Sequence, residues 1–286
     1  MAIIPGIAID ETGRKQSFIQ VLDGKRKTSV YHRFDFELFT FSDRSFNISI
    51  GENTFSEKFI VLDLPEISGR LEFSGNVPWP KPMYSPGIMG PYTFVPFMEC
   101  YHGIVSMDHS ISGLLRVGSE TVSFDGGRGY IEKDWGRSFP EAYVWMQSNH
   151  FSHPGISVKV SVAKIPWVRN SFVGFIAGVW INDRLIRFTT YNNSALKGLK
   201  ISREEVGLVL ENRQYRLQID ALRDDATGLA SPILGLMDGR IEESMTSTLE
   251  ITLTDKKNGR VILKDKGRNT GIEVAGDVSL IEKKLL

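Results

Sequence analysis

Along most of the chain apolar and polar residues alternate with a period of two, in short runs rich in Val, Ile, Phe and Thr that Gly, Asn and Asp interrupt. A β-strand turns successive side chains to opposite faces, so this pattern predicts half-buried antiparallel strands. The segment SFIQVLDGKRKTSVYHRFDF reads as two strands around Asp23-Gly24, and GLLRVGSETVSF as a hairpin turning at Gly118-Ser119. FVGFIAGVWINDRLIRFTTY turns at Asn182-Asp183, VGLVLENRQYRLQIDAL at Asn212-Arg213, and LEITLTDKKNGRVILKD near Asn258-Gly259. Asn, Asp and Gly suit these places because they tolerate the positive φ that tight hairpins demand. A helical signal is confined to SLIEKKLL at the C-terminus.

Roughly a dozen and a half strands are too many for one small barrel, and no repeat of fixed period occurs, so the reading is all-β with two antiparallel lobes. Residues 1–139 form the first expected lobe and 140–286 the second. Regular pairing should fail across NVPWPKPMYSPGIMGPYTFVPF, residues 76–97, because its prolines cannot donate to a ladder. That stretch also carries Trp79, Met83, Tyr84, Ile88, Met89, Tyr92, Phe94 and Phe97. A stiff apolar loop is expected, packed under a barrel end or forming the wall or lid of a pocket for an apolar ligand.

Charge narrows the partners. Lys plus Arg and Asp plus Glu both number 34, so the formal net charge is zero and no global field gathers nucleic acid or an anionic membrane. The single cysteine, Cys100, excludes an internal disulfide and a cysteine-rich metal site, and suits a small buried hydrophobe in a reducing cytoplasm. MAIIPGIAIDETGRK is a poor signal peptide, and no apolar run approaches the roughly 18 residues of a membrane span. The expectation is a cytoplasmic protein without a transmembrane segment. Its partner would be an apolar small molecule or lipid, met in solution or by transient contact with a membrane surface.

Familiar catalytic motifs are missing: the chain has no GxSxG, GxxxxGK, HExxH or CxxC, and GGRG at 126–129 reads as a turn. No cofactor and no metal are expected. His102 and His109, seven apart in YHGIVSMDH, fall on opposite faces of a strand, which makes them a weak metal candidate; the alternatives are ordinary hydrogen-bonded histidines in a core or at a strand end, or polar contacts to a substrate. His150 and His153 flank an exposed turn before Pro154-Gly155.

Chemistry concentrates in GGRGYIEKDWGRSFPEAYVWMQSNHF, residues 126–151. In strand register Tyr130, Glu132 and Asp134 share one face, opposite Ile131, Lys133 and Trp135. If that face is sheltered, desolvation and the like-charge neighbour raise a carboxyl pKa and make an acid able to protonate an alkene. Alternatively Glu132 and Asp134 pair with Lys133, Arg128 or Arg137 and pin the lobe junction. In YVWMQSNHF, Tyr143, Trp145, Gln147 and Asn149 share a face. There Trp145 can stack on an unsaturated ligand while Gln147 and Asn149 orient a polar head.

This stretch resembles the tocopherol cyclase family. Members carry a tyrosine, a residue, Glu-Lys-Asn-Trp-Gly, Phe-Pro, and an aromatic strand ending in Gln-x-Asn-x-Phe. The matching positions are Tyr130, Glu132, Lys133, Asp134, Trp135, Gly136, Phe139, Pro140, Trp145, Gln147, Asn149 and Phe151. Asp134 stands where plant-type members have asparagine. A more distant likeness is to carotenoid 1,2-hydratases, whose motif aspartate falls on Glu132. Bacterial relatives begin with a Gly-Trp-Tyr-Phe-Lys type strand that this chain lacks, so one barrel edge is expected to be open.

The resemblance implies two lipocalin-like, calycin-type β-barrel lobes packed together, with an isoprenoid ligand near their junction. It implies cofactor-independent cyclisation or hydration of a prenylated apolar substrate. Glu132 would be the general acid, assisted by Tyr130 and Asp134, with Trp135 and Trp145 stabilising cationic character. The alternative is a lipid- or isoprenoid-binding protein of the same fold without turnover.

Overall fold

The computed structural model describes residues 1–233 and 236–283. The hairpins turn where the sequence places them: φ is positive at Gly118 (64°), Asn182 (49°), Asp183 (56°) and Gly259 (70°). Three antiparallel sheets follow one another along the chain. The first holds β1 (Ala2–Ile9), β2 (Lys15–Asp23) and β3 (Thr28–Phe34). The second holds β4 (Phe39–Phe41), β5 (Asn47–Ile50), β6 (Asn53–Ser56), β7 (Phe59–Asp63), β8 (Ile67–Ser74), β9 (Cys100–Val117), β10 (Glu120–Ser123) and β11 (Gly127–Gly136). The third opens with β12 (Ala142–Ser148), β13 (Ser157–Trp167), β14 (Asn170–Ile181), β15 (Arg184–Thr189) and β16 (Ala195–Ile201). It continues with β17 (Glu205–Glu211), β18 (Tyr215–Leu222), β19 (Thr227–Ile233), β20 (Leu236–Asp255) and β21 (Val261–Gly276).

The expected barrels do not close among the described residues. The third sheet runs as an open path from β15 to β16. The turn between β17 and β18 reaches back to β15 through a side chain: Asn212 Nδ2 donates to the Arg187 carbonyl at 3.2 Å. The C-terminal helical signal is realised as one turn, α1 (Ser279–Glu282), which buries Ile281 in the core of that sheet; residues 284–286 of the signal lie outside the described residues. No described helix is long and apolar enough to cross a membrane.

Alternation decides what each face meets. On β12 and β13 the residues Val144, Met146, Val158, Val160 and Val162 are fully buried in the concave core of the third sheet. Their neighbours Tyr143, Trp145, Gln147 and Lys159 therefore point to the other face, which is packed against the second sheet rather than solvated. Ser157 Oγ donates to the Met107 carbonyl of β9 at 2.6 Å, one of the bonds stitching the two sheets.

The Pro-rich segment packs as filler. Between β8 and β9 it forms only a short 3-10 turn, Gly90–Phe94, while Trp79, Ile88, Met89 and Met98 are buried with Ile104 and Met107 of β9. Trp79 lies on Gly178 so closely that a Cβ there would come within 2.5 Å of the indole. Tyr92 packs against this cluster half-buried, while Tyr84, Phe94 and Phe97 are exposed.

Candidate functional site

Strand β11 enters the space between the sheets with a broken register against β9, shifted on both sides of Ile131. Tyr130, Glu132 and Asp134 nevertheless converge. Tyr130 donates its hydroxyl to Glu132 Oε2 at 2.5 Å, and His102 on β9 bridges the two acids, with Nδ1 at 2.6 Å from Asp134 Oδ1 and 3.0 Å from Glu132 Oε1. From the third sheet Trp145 Nε1 donates to the same Glu132 Oε2 at 3.0 Å. Lys159, whose side chain is 0% exposed, brings Nζ to 3.4 Å from Oε1. Glu132 is thus held from four strands. Its partners are not the expected Lys133, Arg128 or Arg137: Lys133 lies over the Trp135 ring, and Arg128 pairs with Asp108.

That environment reverses the expected acidity. Burial pushes the Glu132 carboxyl up, but the Lys159 ammonium, His102 and the Tyr130 hydroxyl outweigh it and hold the group at about 2. Glu132 is therefore ionised at neutral pH. His102 is driven down by burial and up by Asp134 and Glu132, with the carboxylates prevailing and placing it at about 9.

The carboxyls pushed upward lie elsewhere. Glu273 on β21 is the register partner of Trp145, and Tyr143 donates to its Oε2 at 2.9 Å. Burial, reinforced by Asp134 and Glu132, pushes Glu273 up to about 7 against the Tyr143 bond. Directly opposite on β20 stands Glu243, 5% exposed and raised further by burial and by Glu273. Lys159, Glu243 and Glu273 are absent from the sequence reading. In VSVKVSVA-type alternation they look like solvent-facing residues, and the signal that could have marked them is an ionisable residue inside an otherwise apolar strand.

The remaining candidates divide. Trp135 is 44% exposed and stacks on Tyr101 at 5.5 Å, on the outer side of β11. Gln147 faces inward beside its register partner Lys159, and its buried Nε2 finds no hydrogen-bond partner among the described residues. Asn149 is committed: Nδ2 donates to the Gly129 carbonyl at 2.7 Å and to Asp108 Oδ1 at 3.2 Å, which leaves it a joint between sheets rather than a free head-group contact. His109 is buried in another place, tilted against Phe73 at 4.6 Å and lying over Gly129, where a Cβ would be 2.1 Å from Nε2. Burial holds it down at about 4. His150, expected on the surface, is half-buried and bridged to Arg268.

Cys100, His102 and Asp134 bring ligand atoms within 4.8 Å of one another. His102 Nδ1 is already engaged by Asp134, and burial pushes the Cys100 thiol far up, away from the thiolate a metal requires. Two surface concavities, of about 480 and about 250 Å³, lie elsewhere, the first lined by Arg184, Arg187 and Tyr215 and the second by Glu99, Lys164 and Arg169. Their rims are open and polar, and the acid–base contact at the second, Lys164 with Glu141, is a surface ion pair rather than a buried cluster like that around Glu132.

The family model described as tocopherol cyclase-like matches residues 72–276. The chain is similar to the chloroplastic tocopherol cyclase of Zea mays, 26% identical over 200 residues that cover 63% of this chain and 40% of the maize protein. It thus spans about two fifths of the length of that relative. Among solved structures, a Nitrosomonas europaea protein designated AttH superposes with a TM-score of 0.52 at 13% identity, covering 95% of this chain and 90% of its own. The protein CghA superposes with a TM-score of 0.53 at 11% identity, covering 92% and 80%. At such identities the two structures show a shared fold.

Proposed function

Because the chain belongs to the tocopherol cyclase-like family, we propose that it carries out acid-initiated cyclisation or hydration of an isoprenoid-like alkene between its second and third sheets. The observation that carries this reading is the sheltered cluster in which Glu132 meets Tyr130, His102, Trp145 and Lys159. Such a site supplies what the reaction needs: an anion to offset a developing carbocation, an indole beside it, and protonated groups nearby. Glu132, kept ionised by its partners, serves as that anion and as the acceptor at the end of the Tyr130 hydroxyl. Asp134 holds His102, Trp145 lines the path of the cation, and Gln147 offers an amide donor to the polar head. In this proposal residues 1–139 and 140–286 act as two lipocalin-like lobes with the ligand at their junction. The family resemblance supports a prenylated substrate.

One observation favours a second reading, in which the protein binds an isoprenoid or lipid without turning it over. Trp79, Ile88, Met89 and Met107 fill the layer beside the cluster with the chain's own side chains. Native purification followed by solvent extraction and mass spectrometry distinguishes the two. A cyclised or hydrated isoprenoid on the wild type, with the open alkene on Glu132→Gln, fits the enzyme. The same unaltered lipid on both fits the binding protein and removes the enzyme reading.

A further inference from the structure

We propose that Glu243 and Glu273 form a carboxyl pair that holds one proton in common and delivers it to the substrate alkene, with Glu273 as the donor. This rests on the reading of the site given above and adds the source of its proton.

The geometry begins with register. Glu243 on β20 and Glu273 on β21 are direct antiparallel partners, so both side chains emerge on one face. Such pairs set their Cβ atoms about 4.5–5.5 Å apart. That face is the one occupied by Trp145, the partner of Glu273 on its other side. Trp145 and Glu243 both overhang Gly271, where a Cβ would lie 2.9 Å from the indole and 3.2 Å from Glu243 Oε1. Only a glycine leaves room for both. The carboxyl pair, the indole and Glu132 are therefore contiguous through the Trp145 Nε1 bond to Glu132.

A second, independent observation points to a ligand in this space. Lys159 is fully buried with Glu132 Oε1 as its ion-pair partner at 3.4 Å but makes no directed hydrogen bond, and the buried Nε2 of its neighbour Gln147 has no hydrogen-bond partner among the described residues. Buried donors without acceptors are expensive, and two side by side fit an oxygen on the substrate that accepts from both.

Every element packed on the pair contributes to its proton. Glu132 and Asp134 from β11 disfavour ionisation, as does burial; His102 from β9 and the amine of Met1, just before β1, act against them. Tyr143 from β12 donates to Glu273, and the Lys159 ammonium from β13 lies nearer Glu132, at 3.4 Å from Oε1. Two buried carboxyls at facing register positions do not both ionise readily, so the pair retains a proton. His102 is the poorer donor, because an imidazolium clasped by Asp134 and Glu132 gives up a favourable charge pairing when it loses its proton.

The chemistry closes without another reactant. The carboxyl O–H breaks, a C–H bond forms at the less substituted alkene carbon, and a carboxylate remains. The cation at the other carbon is captured by an oxygen, the substrate's own hydroxyl or water, and the proton released from that oxygen returns to the pair.

The test uses the full chain with glutamate labelled by ¹³C at the carboxyl, titrated by NMR, and geranylhydroquinone in D₂O as the probe substrate. One carboxyl of the pair is expected to titrate near neutrality; Glu273→Gln should abolish that signal, and Glu243→Gln should move it to lower pH without abolishing it. Deuterium transfer to the product should fall about 100-fold or more in Glu273→Gln, within the range for a positioned general acid. Glu243→Gln, which leaves the donor in place, should shift the pH profile of transfer to lower pH; it carries the test if Glu273→Gln does not fold. Titration of both carboxyls below pH 5 overturns the shared proton whatever the probe does. Transfer undiminished in Glu273→Gln overturns its role as donor while the cyclase reading survives. No transfer by the wild type overturns that reading and the catalytic half of this inference together.

Discussion

Lys159 Nζ lies 3.4 Å from Glu132 Oε1, across the seam between the two large sheets, with the lysine side chain 0% and the glutamate 10% exposed. Neither sheet alone could hold either charge. Removing one partner of such a pair strands the other in a low-dielectric site, at about 3–5 kcal/mol. Lys159→Met and Glu132→Gln should each lower the unfolding free energy by that order in denaturant titrations. The double variant should recover a measurable part of the loss, because it strands no charge.

The titrations set opposite pH trends. Glu132 is depressed to about 2, so its contribution is present above the unfolded carboxyl range and is lost as pH falls through the folded value. His102 is raised to about 9, so its contribution is full below about 6.5 and fades as pH rises toward 9. Glu273, raised to about 7, contributes most below about 4.5 and loses its share as pH rises to 7. Thermal melts from pH 3 to 10 should therefore show stability declining on the alkaline side, and His102→Gln should flatten the segment between about 6.5 and 9.

Trp79 is 1% exposed and lies on Gly178. Trp79→Ala should cost about 3–5 kcal/mol through the cavity it opens between the sheets. Gly178→Ala should cost about 1–3 kcal/mol by overpacking the same contact, since the new Cβ has no space beside the indole. Calorimetry of the two single variants checks both values.

Asn149 spends its amide on Gly129 and Asp108. Asn149→Leu should lower stability by about 1–3 kcal/mol, the cost of leaving buried acceptors unpaired. The apolar compound recovered from native protein should be unchanged in identity. Gln147→Leu should behave in the reverse sense, changing what is bound with little loss of stability, because its Nε2 supports no described partner.

What the sequence by itself determined is local. Period-two alternation and the Asn, Asp and Gly turns specify an all-β chain and its hairpins, since strand geometry and positive φ act within a few residues. The same locality makes Tyr130, Glu132 and Asp134 legible as one face of one strand. Their protonation was decided only by tertiary structure. Lys159, Glu243 and Glu273 sit in strands whose alternation reads as one apolar face and one solvated face, and nothing local tells that the polar face is covered by another sheet. Burial and charge act through space at a few ångströms, whichever strand supplies the group. Stacking of the sheets thus holds the Glu132 carboxyl low and pushes the carboxyls on β20 and β21 up.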